Sequence, residues 1–389
     1  MPHYFNFKKK ERWNRLSQIS LSLLAAGDII LGPDAEAFFT YVAPVLKKGD
    51  IVIGQLEVPY TTRHPEAVAL GRDPQILSAL KSAGVDVVTL AGNHIWDAGV
   101  AGIEDTIQWL KSNNIAFVGA GLNIDEARRP VVIERSGTRF GFLSYNCVGP
   151  KETWASTERP GCAYVHVITH YELDHATPGG PPAIYTWAEP KTLGAMMDDI
   201  HKLRSLCDIL VVSLHKGIGH TPAKLADYEK QVSYAAIDAG ADLILAHHAH
   251  ILRGIEFYKG KAIFHGLCNL VAYVPSLAPK DDQDSQSWAQ RRREIFGFEP
   301  DPEYPTYPFH PEARYTIIAK CTIENKMISR VSYLPCIVNK QGQPELLGND
   351  SRGDEVFNYM EKITREAALN VSYQWLGDEV LVQAKKQKT

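Results

Sequence analysis

The stretch Asp242-Leu-Ile-Leu-Ala-His-His-Ala-His250 constrains this chain most. Leu243 to Ala246 form a short apolar run that reads as a buried strand. His247, His248 and His250 follow at once. Histidines clustered at the carboxyl end of a buried strand are costly to bury unpaired and rarely serve as a plain turn. They point instead to an α/β protein with metal or anion ligands along the carboxyl edge of its sheet.

The rest of the chain alternates in the same way. Strands are predicted over 20–26, 50–56, 85–90 and 115–118, with helices over 34–48, 73–84 and 99–113 between them. Gly27-Asp28 is expected to turn off the first strand. Residues 131–134 and 139–145 read as a hairpin about Ser136-Gly137. The pattern lapses over about 147–190, an irregular insertion carrying His166, His170 and His175, and then resumes. Helices are predicted over 191–206 and 223–239, and strands over 209–214 and 243–246. A hairpin over 254–265 follows, then a long loop or lid over 272–312. An antiparallel pair over 314–334 and a helix over 352–367 close the reading. Strand–helix alternation of this kind predicts parallel strands with helices on their faces.

Composition excludes several classes. A net charge of −4 gives no general case for nucleic acid. No run of 18 apolar residues occurs, so no membrane span is expected. Residues 1–19 read as a polar leader: charged residues separate Lys8-Lys9-Lys10 from the apolar run that follows. The six cysteines are scattered without CxxC spacing, which fits reduced thiols and a cytoplasmic location. No glycine-rich phosphate loop follows a strand, which argues against a doubly wound nucleotide-binding protein.

Several predicted strands end in a residue that can bind metal: Asp28, Glu57, Asn93-His94, His215, and His248 with His250. Two carboxylates, an amide oxygen and several imidazoles at one sheet edge suit two divalent metal ions, Mn, Zn or Fe in preference to Ca or Mg.

Six motifs carry a family resemblance. They are Gly27-Asp28, Gln55-Leu56-Glu57, Gly92-Asn93-His94-Ile-Trp-Asp97-Ala-Gly99, Leu214-His215-Lys216-Gly217, His247-His248-Ala-His250 and Gly266-Leu-Cys-Asn269. In this order and spacing, over about 20–272, the chain resembles the bacterial capsule synthesis CapA (poly-γ-glutamate synthesis, PgsA-like) family of the calcineurin-like metallophosphatase superfamily. The resemblance implies a four-layer α/β/β/α sandwich of the metallo-dependent phosphatase type spanning 20–271. Residues 313–389 would then add C-terminal strands and a helix to the same domain.

The resemblance also implies roles. Asp28 and His250 correspond to ligands of a first metal, and Glu57 to a bridging carboxylate. Asn93, His215 and His248 correspond to second-metal ligands, and His94 to a proton donor that Asp97 orients. Lys216, His220, His247 and Asn269 are weaker candidates for contact with substrate, His247 also for a place behind the ligands. Where the superfamily has a histidine two residues after the first aspartate, this chain has Ile30. The usual His-Trp-Gly and His-Pro-His are here His215-Lys216-Gly217 and His248-Ala249-His250.

The function expected is a metal-dependent hydrolase. A metal-bound hydroxide would attack an amide, lactone or γ-glutamyl-type bond of a small or oligomeric anionic substrate. A phosphoesterase and a non-catalytic protein of γ-polyglutamate or capsule biosynthesis are the alternatives. The sequence leaves room for a homo-oligomer.

Overall fold

The computed structural model describes residues 3–5, 20–173, 179–278 and 283–385. Most of the leader, and His175, lie outside the described residues; within the leader, His3–Phe5 forms a strand.

Two sheets face each other. In one, the strand Ser20–Ile30 lies parallel to Ile51–Leu56, which continues to Val87–Thr89 and Ala116–Val118. On its other side Ser20–Ile30 pairs antiparallel with Tyr315–Glu324 and then Met327–Val338. The second sheet runs from His3–Phe5 through Val131–Arg135, Thr138–Asn146, Ile209–Lys216, Leu243–His248 and Lys261–Phe264 to Ile255–Tyr258.

Alternation explains the layers. In the second sheet Val211, Leu243 and Leu245 join the core shared with the first sheet. Val212, Leu214 and Ile244 join a second core with Met196, Ile200, Val232 and Ala236. These last four sit on the helices Pro190–Arg204 and Asp227–Asp238. Successive strand residues point to opposite faces, so apolar residues on both parities call for cover on both sides. The crossovers Ser78–Ala83 and Gly99–Ser112 link successive parallel strands of the first sheet. Right-handed crossovers that advance in one direction place both helices on one face. The result is the expected α/β/β/α sandwich.

The structure revises several elements. The predicted turn at Gly27-Asp28 is interior strand. A Cβ at Gly27 would lie 2.2 Å from the carbonyl oxygen of Cys268. The glycine therefore admits a neighbouring backbone. The predicted helix over 34–48 is two short ones, Ala35–Phe38 and Ala43–Leu46. Pro44 opens the second, and proline disfavours a helical residue before it. The insertion contains a hairpin, Val167–Glu172 with Ala183–Ala188. The segment read as a loop over 272–312 contains the helix Gln283–Phe296. A C-terminal hairpin, Val371–Leu376 with Glu379–Ala384, extends the first sheet.

Candidate metal centre

The site lies at the carboxyl edge of both sheets, where parallel strands end together. Asp28 sits near the end of Ser20–Ile30, Glu57 directly after Ile51–Leu56, and His215 near the end of Ile209–Lys216. Asn93 lies on the loop after Val87–Thr89. Gln55 holds that loop: its side chain accepts from Thr89 Oγ1 at 2.5 Å and donates to the Ala91 carbonyl at 3.4 Å.

Two groups of donors form around Glu57. Single ligand atoms of Asp28, Glu57 and His250 lie within 4.8 Å of one another. His250 Nε2 is 3.3 Å and His215 Nε2 3.9 Å from Glu57 Oε1. Asn93 Oδ1 lies 2.7 Å from His215 Nε2 and 3.2 Å from His248 Nδ1. Glu57 thus stands between Asp28 and His250 on one side and Asn93, His215 and His248 on the other.

Backbone conformation brings the histidines together. On Leu243–His248 the parity of Leu245 points His247 at the facing sheet, and its Nδ1 lies 3.2 Å from Asp28 Oδ1. His248 should then face the helices. Its φ of 89° and that of 51° at His250 turn the chain instead. Both rings reach the site, and the His248 amide donates to Asp28 Oδ2 at 3.1 Å.

The electrostatics fit cations. Asp28 and Glu57 are fully buried, yet Asp28 Oδ1 and both Glu57 carboxylate oxygens lack a hydrogen-bond donor. Buried carboxylates without donors are costly unless a positive charge meets them. Burial, together with the neighbouring histidines, drives the His215 pKa well down. Burial and then His250 push His248 to about 4. Both rings are therefore neutral imidazoles, the form that ligates. Burial also opposes charge on His250, but Glu57 and Asp28 outweigh it and lift its pKa to about 9. The donor set of carboxylate, amide and imidazole fits divalent transition metals.

His94 stands at the mouth with its side chain 42% exposed, and its Nδ1 lies 2.9 Å from Asp97 Oδ2. Burial works against its charge, but the hydrogen bond to Asp97 and the field of Glu57 raise its pKa above the ordinary value. Arg72 Nη1 lies 3.7 Å behind the same Asp97 oxygen.

The weaker candidates separate. Asn269 is fully buried against His250, with Oδ1 2.8 Å from Nδ1. His220 packs its ring against His250, Phe296, Phe298 and Phe309. Lys216 corrects the expectation of substrate contact: it is fully buried, 3.1 Å from both Glu229 Oε2 and His265 Nδ1. Strand alternation is the reason, since His215 faces the site and Lys216 must face the helix that carries Glu229. Among the insertion histidines, His170 is exposed and His166 packs on Trp154. The sequence reading missed Arg72, and it gave Tyr307 and Phe309 only a place in the long loop or lid. Arg72 carries no motif, and the two aromatics stand in a segment marked only by its prolines and aromatics.

Comparison with known proteins identifies the family. A family model described as "Bacterial capsule synthesis protein PGA_cap" matches residues 22–274. The chain is 29% identical over 266 residues to the PGA biosynthesis protein CapA of Bacillus subtilis, covering 64% of this chain and 63% of that protein. It is 27% identical over 268 residues to the capsule biosynthesis protein CapA of Bacillus anthracis, covering 64% and 59%. The chain therefore spans less than two thirds of these relatives' length. Among solved structures, the calcineurin-like phosphoesterase YfkN of Bacillus subtilis is similar at 14% identity and a TM-score of 0.41, over 90% of this chain and 98% of that one. A phosphatase from Mycoplasma pneumoniae is similar at 14% identity and a TM-score of 0.47, over 87% and 98%. The match of the family model over well beyond half of the sequence makes this chain a member of the bacterial capsule synthesis PGA_cap family.

Proposed function

We propose that this protein is a metal-dependent hydrolase that cleaves an amide, lactone or γ-glutamyl-type bond in an anionic substrate. One observation carries the reading. Two fully buried carboxylates without a hydrogen-bond donor stand among the imidazoles of His215, His248 and His250, beside a half-exposed histidine that is hydrogen-bonded to an aspartate. A purely structural metal site needs no such proton donor at its mouth. Asp28 and His250 would hold one divalent ion, Asn93, His215 and His248 a second, and Glu57 would reach both.

Bound there, divalent ions supply Lewis acidity and bring the pKa of water toward neutrality. The protein's own groups do the rest. Asp97 takes up His94 Nδ1 and leaves Nε2 free to hand a proton to the departing atom. The hydrogen bond to Asp97 and the field of Glu57 raise the His94 pKa and so favour the ring that carries that proton. His247 lies against Asp28 and limits how that carboxylate turns. The anionic substrate class draws support from the names of the relatives, which concern PGA and capsule biosynthesis.

The test is the metal content of the full chain, measured beside hydrolysis of a phosphomonoester, a phosphodiester, a lactone, a lactam and a γ-glutamyl amide, with and without added Mn and Zn. Metal-dependent turnover of the acyl substrates is expected. Turnover of the phosphoesters alone would make the protein a phosphoesterase. Bound metal without turnover on any substrate would leave a binding role in polymer assembly.

A further inference from the structure

We propose that Tyr307 acts through Asn269 to select which nitrogen of His250 meets the metal. The proposal rests on the reading of this centre as a metal site, and it places a positioning residue outside residues 22–274, the stretch that the family model matches.

The inference follows from donors and acceptors taken in turn. The carbonyl of Ala313 can only accept, and the Tyr307 hydroxyl donates to it at 2.7 Å. That hydroxyl hydrogen is then committed, so the Tyr307 oxygen is left to accept. It does so from Asn269 Nδ2 at 3.0 Å. The amide orientation is thereby fixed, and Asn269 Oδ1 faces His250 Nδ1 at 2.8 Å. An amide oxygen has no proton to give, so His250 Nδ1 must carry one. Nε2, 3.3 Å from Glu57 Oε1, is then the nitrogen that can give up its proton and offer a lone pair when a metal binds.

The competing arrangement would have to break the hydrogen bond between Nδ1 and Asn269. Were Nδ1 the ligating atom, Asp28 would be its nearest carboxylate, yet Asp28 Oδ2 lies 3.6 Å away against 2.8 Å for Asn269. Water offers no easy substitute for the relay, because Asn269 is fully buried and Tyr307 is 3% exposed. Packing holds both ends. Asn269 is in register with Asp28 on the neighbouring strand. The Tyr307 ring packs against Phe309 at 4.9 Å, and Phe309 packs against the His250 ring at 5.0 Å. The segment carrying Tyr307 and Phe309 thus completes the environment of a ligand that belongs to the family-matched region.

Tyr307→Phe removes the hydroxyl and keeps the ring, so it tests the relay with little change in packing. Zinc binding to the full chain is measured by competition with a chromophoric chelator. The variant should bind zinc about 10–100-fold more weakly, as loss of a partner behind a ligand does. The chelated variant should still fold cooperatively, with a melting temperature lowered by a few degrees because the buried Ala313 carbonyl and Asn269 amide each lose a partner. In zinc-loaded wild type, ¹⁵N-histidine NMR should find His250 bound through Nε2 with a slowly exchanging proton on Nδ1. In the variant that proton should exchange faster.

Zinc on Nδ1 in the wild type would overturn the assignment, as would unchanged affinity in the variant. An affinity loss in a variant whose His250 Nδ1 proton still exchanges slowly would make Tyr307 a packing residue and overturn it too. Unchanged affinity removes only the relay and leaves the hydrolase reading standing. A wild-type chain that binds neither zinc nor manganese removes both.

Discussion

His94 has two neighbours with opposite demands. Solvent reaches nearly half of its side chain, while Asp97 holds its inner nitrogen at 2.9 Å. Its inner nitrogen is taken up by Asp97 and the ring stands at the mouth, so its loss should spare metal binding. His94→Ala should lower kcat about 10²–10⁴-fold, the usual worth of a positioned acid. Metal content by elemental analysis should stay at the wild-type level. A parallel loss of metal would make His94 a ligand. Lys216 teaches a different lesson at the same scale. It adjoins His215 in sequence, yet it is closed into a pocket with Glu229, Arg253 and His265, all fully buried. Charges in such a pocket hold each other, and taking one away leaves another unpaired.

At the scale of elements, the strand Ser20–Ile30 decides where the site forms. It is paired on both sides, and at its carboxyl end it also meets Asn269–Ala272 in parallel. That last pairing brings Asn269 beside Asp28 and is possible only because Gly27 lacks a side chain. Gly27→Ala would push a methyl group into the Cys268 carbonyl, and one backbone would have to move. The expected cost is about 1–3 kcal/mol, with reduced metal occupancy because Asp28 is the next residue. Chemical denaturation and metal analysis of the variant check both parts. Unchanged occupancy at lowered stability would mean that the strand yields without carrying Asp28 along.

Over the whole molecule, stability should respond to acid through His265. This ring is fully buried, with Nε2 3.0 Å from Glu256 Oε2 and Nδ1 3.1 Å from Lys216 Nζ. Burial first, and then the Lys216 charge, depress its pKa to about 4, against the opposing pull of Glu256 and Glu229. Between pH 6.5 and 4 the unfolded chain binds a proton at this residue and the folded chain does not. Stability therefore falls as pH drops through that window, by on the order of 3 kcal/mol for this group. Denaturant titrations of wild type and His265→Gln at several pH values check it. The variant should lose that part of the pH dependence, and an equal slope in both proteins would contradict the assignment.

No helix among the described residues is long and apolar enough to cross a membrane. The six cysteines are buried and free, as their scatter along the sequence suggested.

Much of this was legible in the sequence because it depends on local rules. Alternating apolar runs marked the central strands of both sheets, and residues just past those runs marked the carboxyl edge where Asp28, Glu57, Asn93, His215, His248 and His250 meet. Strand ends and helix breaks are set by neighbours a few residues away. What the sequence could not reveal depends on contacts between distant segments. Gly27 reads as a turn until the Cys268 backbone lies against it. Lys216 reads as a substrate contact until the helix bearing Glu229 covers it. His248 reaches the site only through a left-handed backbone that the facing sheet makes worthwhile. Tyr307 lies 57 residues from His250 along the chain and meets it through Asn269 only once the sandwich has closed. By itself the sequence determined which residue types stand at the sheet edge. Only the tertiary structure decided which of their atoms face one another, because that depends on packing between segments that no local pattern records.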